Sequence, residues 1–191
     1  MRFIFILMGI LSVPVTSFAA DISGAFGFNL GQSISVTQKQ ADADGRNYLT
    51  PPKEVNAFTD YYVKVVPSSS QISEIGASGV YRSYDECINM HYRLKTGLKA
   101  KYMKDGDKSF FGKLTDMTKK ITDPVLGDLL GKTEWNEDKY GQLIFIKDGK
   151  MIDLACHNKE LVIIYSDIKL QIKVKEEREK NKSKMIGIDN L

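Results

Sequence analysis

The cysteine and histidine residues of this 191-residue chain lie in two short segments. Cys87 precedes His91 by four positions, and Cys156 stands directly before His157. Two thiols and two imidazoles can complete a tetrahedral zinc site, whereas two thiols alone can form one disulfide. Which chemistry applies depends on the elements that carry these side chains and on the compartment in which the protein folds.

The opening residues have the pattern of a secretory signal peptide. Arg2 precedes an uncharged apolar run from Phe3 to Val15, and Ser17 and Ala19 place small side chains at the two positions that a signal peptidase inspects. The run is shorter than the roughly 20 residues that a membrane-spanning helix requires. We therefore predict a signal peptide over residues 1–19, cleavage after Ala19, and export of a soluble protein, periplasmic or secreted, with no transmembrane segment after cleavage.

The charge of the mature chain is close to balanced. Removing residues 1–19 takes away Arg2 and no acidic residue, which lowers the formal charge from +3 to +2. Binding to a polyanion requires several clustered cations that release counterions, so we predict no nucleic-acid partner. The length predicts a single domain at 54–182, an irregular N-terminal arm with one short strand at 20–53, and a C-terminal tail at 183–191.

The spacing of apolar residues predicts about five main strands and a helix between the second and the third. Ser83 and Glu86 form a capping box that marks the start of this helix. Asp148-Gly149 between two apolar runs predicts a hairpin. The predicted strands are Ala25–Leu30 in the arm and then Phe58–Val66, Ile72–Tyr81, Gly141–Ile146, Met151–Cys156 and Leu161–Tyr165.

Further helices are predicted after the first one and at the end of the chain. Two are inserted before the third main strand, an amphipathic helix at 109–121 and a short one at 123–130. The segment from Ile168 onward alternates as a strand would, but its charged continuation and the pair Glu176 and Lys180 favour a helix. The order is β-β-α, two inserted helices, β-β-β, α, which predicts an α+β fold, an antiparallel sheet with helices packed mainly on one face.

These elements favour a disulfide. Cys87 belongs to the apolar stripe of its predicted helix, and Cys156 shares a strand face with Leu154. His157 leaves the opposite face, so Cys156 and His157 are a poor pair of ligands for one metal ion. In an oxidising compartment we predict a Cys87–Cys156 bond, with two buried free thiols and a zinc site as the alternatives. We predict that His91 lies at the edge of the core and that His157 lies in a solvated turn.

Other candidate motifs are incomplete. The residues 76–80 have a serine between glycines but not the spacing of a nucleophile elbow. The alternating carboxylates at 42–47 begin like a calcium loop but lack the later glutamate, so a polar turn is the simpler interpretation. The sequence therefore predicts no catalytic residue, no metal site and no cofactor.

The inserted amphipathic helix is the candidate contact surface. Its apolar and basic residues could extend the core, contact a partner protein or lie on a membrane surface, which we favour less than the other two. The residues concerned are Phe110, Phe111, Lys113, Leu114 and Met117.

From these observations we expect an exported, non-catalytic binding or accessory protein that acts on another envelope protein. Two alternatives stay open at the level of sequence. One is a small periplasmic hydrolase whose carboxylates are brought together by folding, and the other is a peripheral membrane protein that uses the 109–121 helix.

Overall fold

The computed structural model describes residues 20–35, 41–103, 134–137 and 142–186, with the backbone alone described at 134–137 and 183–186. Within these residues the chain forms nine strands and two long helices. The strands are β1 (Gly24–Ala25), β2 (Phe28–Asn29), β3 (Asn47–Tyr48), β4 (Asp60–Val65), β5 (Ile72–Val80), β6 (Glu134–Glu137), β7 (Leu143–Lys147), β8 (Lys150–His157) and β9 (Glu160–Asp167). The helices are α1 (Tyr84–Tyr102) and α2 (Ile168–Ile186).

Seven strands form one antiparallel sheet in the order β3-β4-β5-β9-β8-β7-β6, and β1 pairs with β2 separately. β7, β8 and β9 are a meander, because each pairs with the next along the chain. Asp148 and Gly149 connect β7 to β8 with φ values of 51° and 74°, as a two-residue type I′ turn requires. β5 pairs with β9, so the β4–β5 hairpin joins the meander in the middle of the sheet.

One face of the sheet carries the main apolar core, and we call it the disulfide face. Ile152, Leu154 and Cys156 alternate along β8 and are 0%, 0% and 7% exposed. α1 packs against β8 and β9 on this face. The Cys87–Cys156 disulfide joins the helix to the strand there.

α1 begins as predicted. The Ser83 hydroxyl accepts a hydrogen bond from the Glu86 N–H at 3.2 Å, and the Glu86 carboxylate accepts one from the Arg82 N–H, also at 3.2 Å. The first bond satisfies one of the backbone donors that a helix start leaves free, and the second ties the residue before the N-cap to the first turn. The buried residues of the helix are Cys87, His91, Lys95 and Tyr102.

The opposite face of the sheet, called the Glu74 face, contacts α2. Ile75 of β5 lies on the disulfide face, because it pairs with Tyr165, which in turn pairs with Ile152 of that face. Glu74 is the residue directly before Ile75 in the strand. Glu74 therefore points away from the disulfide face. α2 contacts β5 and β9, and its Gln171 amide donates a hydrogen bond to the Glu74 carboxylate at 2.9 Å.

The N-terminal hairpin β1–β2 packs on the aromatic part of the disulfide face. Its turn residue Phe26 lies 5.1 Å from Tyr61, 5.6 Å from Phe58 and 6.3 Å from Tyr165 between ring centroids, each pair edge to face. Aromatic pairs in this arrangement are favourable beyond the area they bury. Ile22, just before the hairpin, is 1% exposed and belongs to the same core.

The α+β class, the disulfide and the order of the main elements agree with the prediction. The predicted arm strand Ala25–Leu30 is instead the β1–β2 hairpin, because Phe26 and Gly27 adopt positive φ values of 55° and 88° and reverse the chain. The sheet also gains β3 and β6, which are short strands at its two edges.

The second helix lies on the opposite face from the first, whereas the prediction placed the helices mainly on one face. The physical reason is that both faces of the sheet carry apolar side chains. On the side of Glu74, Val174 of α2 is 4% exposed, and Ile144 and Ile146, which share that side through the register of β7, β8 and β9, are 8% and 5% exposed. A sheet that is apolar on both sides must be covered on both sides.

Several predictions concern residues outside the described ranges. These are the signal peptide at 1–19, the inserted helices at 109–121 and 123–130, and the end of the tail beyond residue 186. α2 is described through Ile186, four residues past the predicted domain limit of 182.

Candidate functional site

The two cysteines form a structural disulfide. Their Cα atoms are 6.1 Å apart, and the bond joins positions 69 residues apart in the chain. Since both sulfurs are in one covalent bond, neither is a free thiol and neither can be a thiolate ligand of zinc. The bond confirms the prediction and excludes both of its alternatives.

The two histidines are not brought together. His91 is 2% exposed, and its Nε2 lies 3.3 Å from the carbonyl oxygen of Leu154, so the ring links α1 to the β8 backbone beside the disulfide. His157 is exposed at the end of β8, opposite Glu160. Because His157 follows Cys156 in a strand, it lies on the other side of the sheet from His91. The pair therefore forms no shared site.

A buried polar cluster occupies the Glu74 face, and we call it the Glu74 cluster. Glu74 is 7% exposed, and one of its oxygens, Oε1, accepts a hydrogen bond from the Tyr62 hydroxyl at 3.0 Å and an ion pair from Lys64 Nζ at 3.0 Å. The other oxygen, Oε2, accepts the hydrogen bond from Gln171. Three donors thus converge on one buried carboxylate, which offsets the cost of removing its charge from water.

Tyr62 shows the electrostatic character of this cluster. Burial, and then the charge of Glu74, raise the pKa of the Tyr62 hydroxyl well above its ordinary value. Tyr62 therefore stays protonated and acts as a hydrogen-bond donor to Glu74. The guanidinium of Arg46 lies over the Tyr62 ring, 5.2 Å from its centroid.

Sequence reasoning missed the Glu74 cluster, although a signal was present. Glu74 is a charged residue inside an otherwise small and apolar strand, and Gly76 two positions later leaves the space over which the Tyr62 ring lies. A buried carboxylate with three donors and a covering ring is satisfied within the protein. The Glu74 cluster therefore has a structural part, since the hydrogen bond from Gln171 to Glu74 orients α2 on the sheet.

The segment with alternating carboxylates forms a polar turn. One oxygen of the Asp42 carboxylate accepts hydrogen bonds from the backbone N–H groups of Asp44, at 3.0 Å, and of Arg46, at 2.8 Å. The hydrogen bond from Arg46 lowers the pKa of Asp42. The Asp44 carbonyl accepts a hydrogen bond from Arg178 of α2 at 3.1 Å. The Asp42 carboxylate, which would begin a calcium loop, thus shapes the turn, and the Asp44 carbonyl holds the turn against α2.

A surface cleft of about 400 Å³ lies where the chain leaves the β3 edge of the sheet, and we call it the edge cleft. The Leu49 N–H still donates to the Tyr61 carbonyl at 3.1 Å, but Pro51 and Pro52 then divert the chain from β4. The loop returns at Val55, whose N–H donates to the Tyr61 hydroxyl at 2.8 Å. Tyr48, Leu49, Thr50, Pro51, Glu54, Phe58, Thr59, Asp60 and Tyr61 line the cleft.

The lining of the edge cleft combines aromatic surface with negative charge. Tyr48 is 56% exposed, and the two charged residues of the lining, Glu54 and Asp60, are both acidic and exposed. The Thr59 hydroxyl donates a hydrogen bond to the Asp60 carboxylate at 2.7 Å. An aromatic ring beside carboxylates can bind a cationic or amphipathic group.

The contact residues predicted from the sequence, Phe110, Phe111, Lys113, Leu114 and Met117, lie outside the described ranges. Within the described ranges, no cluster of three or more acidic, histidine or cysteine side chains has a geometry that could hold a metal ion. No helix in this part of the chain is long and apolar enough to cross a membrane.

Comparison with other proteins finds no match to this chain among protein-family models, curated proteins or solved structures.

Proposed function

We propose that this protein is an exported binding protein of the periplasm or the cell exterior that acts by holding another envelope protein in the edge cleft. The observation that carries this proposal is the cleft itself, which presents an exposed aromatic ring beside two carboxylates at the edge of the sheet. Clefts that fix a ligand combine apolar surface with a few placed polar groups.

Export is supported by the disulfide together with the signal-peptide pattern of residues 1–19. Disulfides persist in the periplasm and outside the cell and are reduced in the cytosol. The Cys87–Cys156 bond is buried and ties the only long helix of the disulfide face, among the described residues, to the centre of the sheet. A protein built in this way requires an oxidising compartment to reach its full stability.

The chemistry of the cleft indicates the kind of partner. Glu54 and Asp60 attract a lysine or arginine side chain, and the exposed ring of Tyr48 can stack on its cationic head. The partner is therefore a protein segment with at least one basic side chain and an apolar neighbour that packs on the rings of the cleft.

Site-specific photocrosslinking in the exported protein tests this proposal. A photoreactive residue at position 48 should produce an adduct with a second envelope protein, and one at Glu179, an exposed site on α2, should not. Replacing Glu54 and Asp60 by lysine should abolish the adduct, because both carboxylates are at the surface and their reversal leaves the fold intact. The proposal is wrong if position 48 gives no adduct, or if positions 48 and 179 give the same one.

Cell fractionation tests the location separately. The mature protein should be recovered from the envelope or the medium with its disulfide formed, as alkylation before and after reduction would show. Recovery of the full-length chain from the cytosol with two reactive thiols would contradict export.

A further inference from the structure

Ala20 and Asp21, the first described residues of the chain, are bonded to two different elements, the end of α1 and the strand β7. The Ala20 N–H donates to the carbonyl of Lys101 near the end of α1 at 3.1 Å, and the Ala20 carbonyl accepts a hydrogen bond from Lys147 Nζ of β7 at 3.3 Å. Lys147 also forms an ion pair with Asp21 at 2.8 Å. We call Ala20, Asp21, Lys101 and Lys147 the N-terminal clamp.

The clamp is more than a surface ion pair. The Lys147 side chain is only 15% exposed, and Lys147 lowers the pKa of Asp21 through a hydrogen bond and its charge. The next residue, Ile22, is 1% exposed in the core. Three consecutive residues are thus fixed against two different elements, although chain termini usually fray unless they are tied down.

We propose that the mature chain begins at Ala20 and that its terminal amine is a structural hydrogen-bond donor to α1. This inference rests on the proposed export. A signal peptidase hydrolyses the Ala19–Ala20 bond: the C–N bond breaks, the oxygen of water joins the Ala19 carbonyl carbon as a carboxylate, and the nitrogen stays on Ala20 as an amine. That amine retains an N–H for the Lys101 carbonyl.

The position of the cut matters because the clamp begins at the first mature residue. Cleavage one residue later would remove Ala20, and with it the hydrogen bonds to Lys101 and to Lys147. The last carbonyl groups of a helix have no partner within the helix, so the amine satisfies an acceptor that α1 leaves free. A positive group is also favoured at the C-terminal end of a helix dipole, and Asp21 balances the nearby charge of Lys147.

Chemical labelling of the terminal amine tests the clamp. A chain that starts at Ala20, released from a fusion partner without extra residues, should react with a reagent specific for N-terminal amines about tenfold more slowly when folded than in urea, because the amine is hydrogen-bonded. Lys147→Ala should remove most of this protection. Lys175→Ala on the exposed side of α2 is the matched control and should leave the labelling rate unchanged.

A second variant and a mass measurement complete the test. Asp21 is 82% exposed, so Asp21→Asn should keep the fold and still raise the labelling rate. Equal rates in the folded and unfolded chains would overturn the clamp, as would an intact mass showing that the exported protein starts after Ala20. A full-length chain found in the cytosol would instead contradict the proposed export, while the labelling result on the purified chain would still decide the clamp.

Discussion

The two faces of the sheet attach their helices by different means. On the disulfide face, α1 is joined to β8 by the Cys87–Cys156 bond and by packing among apolar side chains. On the Glu74 face, two hydrogen bonds position α2. The Gln171 amide donates to the Glu74 carboxylate, and the Ser68 N–H donates to the Glu177 carboxylate at 3.0 Å. α1 is attached covalently as well as by apolar packing, whereas α2 combines the burial of Val174, which is 4% exposed, with these polar contacts.

This difference shows how stability and orientation are divided between the faces. Apolar burial and a cross-link stabilise without setting a single direction of approach. A buried carboxylate accepts only donors in the right places, so it costs free energy unless the helix above it has the correct register. We infer that the disulfide face supplies most of the stability and that the Glu74 face sets how α2 lies.

The largest effect should come from removing the disulfide. The double substitution Cys87→Ser and Cys156→Ser should lower the free energy of unfolding by about 4 kcal/mol, because the bond closes a long loop and restricts the unfolded chain. Urea denaturation measures the change, and the reduced wild-type protein is the control. A loss below about 1 kcal/mol in both would show that the disulfide face does not depend on its cross-link.

The next effect concerns the space under Tyr62. A methyl group added at Gly76 would overlap the Tyr62 ring, so Gly76→Ala should lower the free energy of unfolding by up to roughly 3 kcal/mol. Gly97→Ala is the matched control, because nothing lies near Gly97 and it is exposed within α1. This control should raise stability by about 1 kcal/mol through helix propensity. If both substitutions stabilise, the ring of Tyr62 does not lie against β5.

A smaller loss is expected from neutralising the central carboxylate. Glu74→Gln removes the charge that faces Lys64 and leaves one acceptor oxygen for three donors, so the free energy of unfolding should fall by about 2 kcal/mol. Glu179→Gln, which breaks the exposed pair with Lys175, should cost less than about 0.5 kcal/mol. Equal losses in the two variants would mean that the Glu74 cluster behaves as a surface ion pair.

The smallest effect is a dependence on alkaline pH that both faces should share. Burial raises the pKa of Tyr62 on the Glu74 face and of Tyr165 on the disulfide face, with added contributions from Glu74 and from Tyr102 respectively. An unfolded tyrosine ionises near pH 10, so above about pH 10 the unfolded state loses these protons first and the free energy of unfolding falls. Below that pH the contribution is fully present.

Substitution of each tyrosine separates the two faces. Tyr62→Phe should reduce the fall in stability between about pH 9 and pH 11 by about 1 kcal/mol, and Tyr165→Phe should do the same. Urea denaturation across this range measures the slope. An unchanged slope in both variants would show that neither hydroxyl has a raised pKa.

Local patterns in the sequence were sufficient for the main strands, for the two long helices and for the disulfide, but not for the β1–β2 hairpin or for the short edge strands β3 and β6. The capping box at Ser83 and Glu86, the Asp148-Gly149 turn and the alternation in β8 depend on contacts between residues close in the chain, and the structure contains each of them. The placement of Cys87 and Cys156 on apolar stripes was readable for the same reason. Periodicity reports which side of an element is buried.

The tertiary structure alone decided which face α2 covers, how Glu74 is satisfied and where the edge cleft opens. Lys64 and Glu74 lie ten positions apart on paired strands, and Gln171 reaches Glu74 from a helix 97 positions away. The contact of Lys64 with Glu74 depends on the register of the β4–β5 hairpin, and that of Gln171 depends on the pairing of β5 with β9, which joins segments distant in the chain. Hydrophobic periodicity specifies which side of an element is buried but not which other element covers it, because many elements can cover an apolar surface. Only the folded chain brings three donors to one carboxylate.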